Sequence, residues 1–113
     1  MMTLIHAYKD RGLTREITIQ DAVGNTIIPG GLDEIRAIIG REGEAAKLTV
    51  ASNAPTANGS TFTKAAANIL RLDASDLVLI DAGIYTLYID FFDESDSEEW
   101  KNVEREIFSL EET

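Results

Sequence analysis

His6 is the chain's only histidine, and so the only side chain whose ordinary pKa places a proton transfer near neutral pH. To act as a general base it needs an orienting acid and a nucleophile beside it. No serine stands in a G-x-S-x-G elbow, so His6 reads as a structural or surface residue of an N-terminal strand. Carboxylates are abundant, and a facing pair of them suits glycoside hydrolysis. A chain this short leaves little room for an enclosing cleft, and no enzyme is expected. Gly24 and Gly30-Gly31 match neither phosphate-loop spacing and read as turns. The run Asp93-Glu94-Ser95-Asp96-Ser97-Glu98-Glu99 carries the chain's densest oxygen-donor chemistry. Asp93, Asp96 and Glu98 are its candidate calcium ligands, because a hard cation takes clustered carboxylates. The run lacks the EF-hand glycine and spacing, so solvated negative charge is its default reading and no cofactor is expected. Trp100, with Tyr8 and Tyr88, supplies aromatic area for a protein interface or a sugar-stacking surface.

The chain that must position these groups has 113 residues, 44% hydrophobic and 27% charged, with a formal charge of −10. This length suits one domain, spanning residues 1–113, with one real core. Ten basic against twenty acidic residues repel phosphate, which excludes a simple nucleic-acid binder. No apolar run approaches the roughly 20 residues of a membrane span. With no cysteine there is no disulfide, zinc–thiolate site or thiol nucleophile. The N-terminal Met1-Met2-Thr3-Leu4-Ile5-His6 has no basic segment before its short apolar stretch, so a cytoplasmic product, or one packed into a virion, is expected. The charge is uneven: residues 90–113 hold ten acidic residues against Lys101 and Arg105, while the rest is nearly neutral.

Period-2 segments dominate, so the expected class is all-β. Alternation runs over 15–20, 68–72 and 84–92, with turn chemistry at 23–26 and Pro29-Gly30-Gly31. Over 84–92, Tyr85, Leu87, Ile89 and Phe91 share one face, as a strand with one side on a core requires. Residues 34–39 fit either a helix or a strand. Gly40 and Gly43, each costing about 1 kcal/mol inside a helix, favour a strand, a turn at 40–43 and a returning strand over 45–51. Residues 51–61 are small, polar and turn-forming, and read as an exposed loop. The C-terminal stretch fits a helix through Trp100, Val103 and Ile107, or an edge strand over 106–110; the strand is preferred because an all-β pattern needs a closing strand.

Asp81-Ala82-Gly83-Ile84-Tyr85 has the D-x-G-x-Y form that precedes strand F of immunoglobulin-like sandwiches. Residues 69–72 before it fit a strand, and 73–77 a short helical turn. The chain therefore resembles the immunoglobulin-like fold, an antiparallel β-sandwich of about seven strands. The resemblance makes Asp81, Gly83 and Tyr85 a structural corner, with the tyrosine hydroxyl bonded back to upstream backbone. Leu87 stands where antibody-type domains carry a cysteine, and Ile17 or Ile19 would face it. The core tryptophan of the third strand is also missing. The pattern is closer to disulfide-free sandwiches, and in style resembles small tail, baseplate or head modules of phages and prophages.

That resemblance implies a non-enzymatic structural or interaction module with protein partners, itself or neighbouring particle subunits. The alternative is a calcium- or carbohydrate-binding module using the acidic run and Trp100. Tyr88 and Trp100 are the candidate interface residues, beside an edge at 106–110 open to strand addition. Like charge along 90–113 opposes close self-association, so a weak homo-oligomer that strengthens with salt is expected, or a monomer awaiting a basic partner.

Overall fold

A computed structural model describes residues 4–17, 34–64, 68–92 and 101–112. Among the described residues, two sheets form from eight strands. The larger has the order β1-β8-β7-β3-β4, built from β1 (Leu4–Tyr8), β8 (Lys101–Glu111), β7 (Gly83–Phe92), β3 (Glu34–Gly40) and β4 (Leu48–Ala51). The smaller has the order β2-β6-β5, from β2 (Leu13–Ile17), β6 (Asn68–Leu72) and β5 (Thr61–Lys64). All pairings are antiparallel except β1 with β8, which run parallel with Leu4 opposite Ile107 and Tyr8 opposite Glu111. A single helical turn, α1 (Ala74–Leu77), separates β6 from β7.

The expected edge strand at 106–110 is an interior strand. Segment 107–110 of β8 is paired on one side by β1 and on the other by β7, so its backbone groups are taken. Among the described residues the edges of this sheet are β1 and β4. Sequence alternation cannot reveal this, because it marks the buried face and not the lateral neighbours. β2 begins at Leu13 rather than Arg15, and its expected extension over 18–20 lies outside the described residues, as do the turns at 23–31. The strand expected from residue 45 begins at Leu48, because 41–47 form the turn. β5 was not anticipated at all: its alternation rests on one large apolar residue, Phe62, among threonines.

The core lies between the sheets. Ile35, Ala37 and Ile39 of β3, Tyr85, Leu87 and Ile89 of β7 and Phe108 and Leu110 of β8 face Ile17, Phe62, Leu70 and Leu72 of the smaller sheet. Leu87 and Ile17 belong to this one cluster, so aliphatic packing fills the place of an inter-sheet disulfide. Phe62 and Phe108 are its largest fully buried side chains.

Among the described residues one ion pair crosses the interior. Arg15 is opposite Leu70 in β2–β6, and Glu106 is opposite Leu87 in β8–β7. Cross-strand partners share a face, so both charged side chains point inward. Arg15 Nε lies 3.5 Å from Glu106 Oε2, with the carboxylate side chain 4% exposed and the arginine 35%. Neither of these two atoms completes a hydrogen bond.

Two features tie the loops to the body. At the corner, the Tyr85 hydroxyl donates to the carbonyl of Asp81 at 2.6 Å, with the ring buried. Arg41, from the β3–β4 turn, donates to the carbonyl of Ile84 and lies 4.3 Å over the Tyr85 ring. Gly83 has φ +156°, a backbone conformation that L side chains rarely adopt, which is what favours glycine here; a Cβ would also meet the Arg41 guanidinium, though that flexible end could move aside. Tyr85→Phe is expected to lower stability by about 1 kcal/mol through the lost hydrogen bond, read from a urea denaturation midpoint.

The second feature is a polar knot under α1. The Asp76 carboxylate, although buried, accepts from the hydroxyls of Ser60 and Thr56, each at 2.5 Å, and from the side-chain amide of Asn58 at 3.1 Å. Ser60 Oγ also accepts from the Asp73 amide, while the Asp73 carboxylate caps α1 by accepting from the Ser75 amide. Burial pushes the Asp76 carboxyl up, but the Ser60, Thr56 and Asn58 donors outweigh it and hold its pKa below the ordinary value. The segment read from sequence as an exposed loop is thus exposed at Asn53, Ala54 and Pro55 but pinned by a buried Ser60.

Candidate interaction face

Residues that alternate with the core set decorate the outer face of the larger sheet. On β7 these are Ile84, Thr86, Tyr88, Asp90 and Phe92; on β3 they include Arg36 and Ile38; on β8, Arg105, Ile107 and Ser109. Their register builds two rows at the sheet's centre. Ile38, Tyr88 and Arg105 stand side by side across β3, β7 and β8. Ile38 and Tyr88 are half-buried and Arg105 is exposed, its guanidinium 5.4 Å over the Tyr88 ring. In the next row Thr86, Ile107 and Leu4 cross β7, β8 and β1, and Leu4 is 49% exposed. Arg36 and Asp90, directly opposite each other, form a short ion pair with Nε–Oδ2 at 3.1 Å. The face therefore joins an aromatic–aliphatic strip to a neutralised charge pair, on strands whose other side is fully packed.

Tyr88, one of the two expected interface residues, lies at the centre of this face. Trp100, the other, falls outside the described residues, as do the candidate calcium ligands Asp93, Asp96 and Glu98. Among the described residues no three His, Asp or Glu side chains cluster to hold a metal. Ile38, Arg36 and Arg105 were missed in the sequence. Their signal was the second face of each alternating strand, which apolar counting passes over.

His6 projects from β1 on the same side, opposite Ser109, with Nδ1 3.7 Å from Glu111. Both members of that pair are about half exposed, so it is a solvated edge contact and not an oriented base. An open groove of about 400 Å³ runs between the end of β4 and β5, lined by Ala51, Ser52, Asn53, Pro55, Thr61, Phe62 and Thr63. Its lining carries no titratable side chain and offers no acid–base chemistry. No helix among the described residues is long and apolar enough to cross a membrane.

Two packed, mostly antiparallel sheets with a tyrosine corner at the start of the central strand define an immunoglobulin-like β-sandwich. In line with this, the chain is similar to the natural killer cell receptor Nkp44, "a triggering partner in natural cytotoxicity", at 13% identity over 97% of this chain and 98% of that one, with a TM-score of 0.52. It also aligns with the extracellular portion of mouse CD200RLa at 14% identity, over 98% of this chain and 55% of that one, with a TM-score of 0.45. For the extracellular domain of the voltage-gated sodium channel beta4 subunit the values are 10% identity, 99% and 92% coverage, and a TM-score of 0.46. At such identities the likeness speaks for the fold alone. No family model matches the chain, and no curated protein matches its sequence.

Proposed function

We propose that this chain is a non-enzymatic interaction module that binds protein through the outer face of its larger sheet. The observation that carries this reading is the central row of Ile38, Tyr88 and Arg105, half-open to solvent on strands rigidly packed from behind. Aromatic, aliphatic and arginine side chains at the centre of a face, with charge neutralised beside them, are what protein interfaces concentrate. The receptor role printed for Nkp44 supports the same reading by analogy of fold. A finer version, a phage or prophage particle component, rests on the style of the sequence. The calcium or carbohydrate alternative rests on Asp93, Asp96, Glu98 and Trp100.

The partner is expected to carry net positive charge, given the −10 of this chain. Self-association, where it occurs, should be weak and rise with salt, and it cannot use 107–111 as a free edge because β1 occupies it. Capture from the source cell with the wild-type chain as bait, repeated with Ile38→Asp and Arg105→Glu, tests the face. Arg105→Glu, at an exposed position, should keep the wild-type stability within about 0.5 kcal/mol, while the half-buried Ile38→Asp should cost more yet still fold, and both should lose the partner about tenfold or more. Retention of the partner by both variants would remove this face from the reading. A melting temperature raised by calcium and restored to baseline by Asp93→Asn with Asp96→Asn would favour the alternative.

A further inference from the structure

The polar knot under α1 contains a reactive pair. Of the chain's asparagines only Asn58 is followed by glycine. A glycine at that position has no Cβ to shield its backbone nitrogen. That nitrogen can attack the asparagine side-chain carbonyl: the N–Cγ bond forms, the Cγ–Nδ2 bond breaks, and ammonia leaves with the glycine's proton. The resulting succinimide adds one water and opens to aspartate or isoaspartate, with no oxidant or reductant involved.

In the folded chain both reacting groups are engaged. Asn58 Nδ2 donates to Asp76 Oδ1 at 3.1 Å, and the Gly59 amide donates to the carbonyl of Thr56 at 3.2 Å. The Gly59 carbonyl is held too, by Arg71 at 3.0 Å. The product could not return to this arrangement. Conversion puts a carboxylate oxygen where the amide nitrogen donates, facing the buried Asp76 carboxylate with no proton between them.

We propose that Asn58 is a deamidation site latched by Asp76, and that its conversion to a carboxylate removes one of the three donors tying the 51–60 loop to Asp76 and loosens that loop from the α1 turn for good. The reaction is slow while the latch is closed and proceeds from locally opened molecules, so its rate reports that opening. The modification is a one-way change of state in the segment that links β4 to β5.

Purified full-length protein is incubated at 37 °C and mildly alkaline pH, with and without unfolding concentrations of urea, and its peptides are read by mass spectrometry. Conversion at Asn58, about 1 Da, is expected about tenfold or more faster in the unfolded chain, the factor lost closing of ~1.4 kcal/mol gives. Equal rates folded and unfolded would overturn the latch, and no conversion at Asn58 in either would overturn the site. Asn58→Asp, which folds or fails on its own merits, is compared with Asn58→Ala by melting temperature. The aspartate is expected to melt lower or fail to fold where the alanine folds; an equal or higher melting temperature would overturn the loosening.

Discussion

Asp76→Ala is expected to lower stability by about 3 kcal/mol, one of the two largest effects we expect in this fold. The substitution leaves the Thr56 and Ser60 hydroxyls and the Asn58 amide without their shared acceptor, in a place where Ser60 is fully buried. Hydrogen bonds to a charged group contribute about 1.5–3 kcal/mol each, and partial rehydration of the loop returns some of that. Asp76→Asn keeps one acceptor oxygen and should cost less. Acid should reproduce the same loss in the wild type. The pKa of Asp76 is held low in the folded state, so below the unfolded-state value of about 3.9 the unfolded chain takes up the proton first. The contribution is full well above that value and drains away as pH falls through the folded-state pKa. Urea midpoints from pH 6 to pH 2.5 should therefore fall less steeply in Asp76→Asn than in the wild type. Parallel acid limbs would assign the loss to other carboxylates.

The inter-sheet pair predicts an asymmetry. Arg15→Met should cost about 3 kcal/mol, because the Glu106 carboxylate is then buried with no other cation near it among the described residues. Glu106→Leu should cost under about 1.5 kcal/mol, because the arginine side chain is about a third exposed and its head can turn to water along its aliphatic stem. Replacing both residues should return most of the stability, since a packed apolar pair often equals a buried ion pair. Equal costs for the two single variants would mean that the pair is solvated on both sides.

Much of the sandwich was legible because burial writes a period of two into strands. Residues 84–92 declare their inner face through Tyr85, Leu87, Ile89 and Phe91, and the structure puts the first three among the core. The turn at 40–43 was legible through glycine. Lateral order was not, since nothing in 106–110 says whether a strand lies beside it, and β1, only five residues long, closes that side. The outer face was half legible: Tyr88 was visible as an aromatic on the wrong side for the core, while Ile38 and Arg105 gain meaning only when register sets them beside it. The Asp76 knot was invisible, because its donors lie sixteen to twenty residues upstream in a segment whose composition signals only loop.

The parallel pairing of β1 with β8 gives the molecule a mechanical grain. Tension drawing the chain away from Leu4 at one side and from Glu111 at the other slides these two strands along each other's length. The five register pairs from Leu4–Ile107 to Tyr8–Glu111 then bear the load together rather than opening one at a time. Forced unfolding is governed by the rate of crossing such a barrier, not by equilibrium stability. A short strand that adds little to the core, through Ile5 and Ala7, thus fixes how the domain would resist being pulled between two attachments.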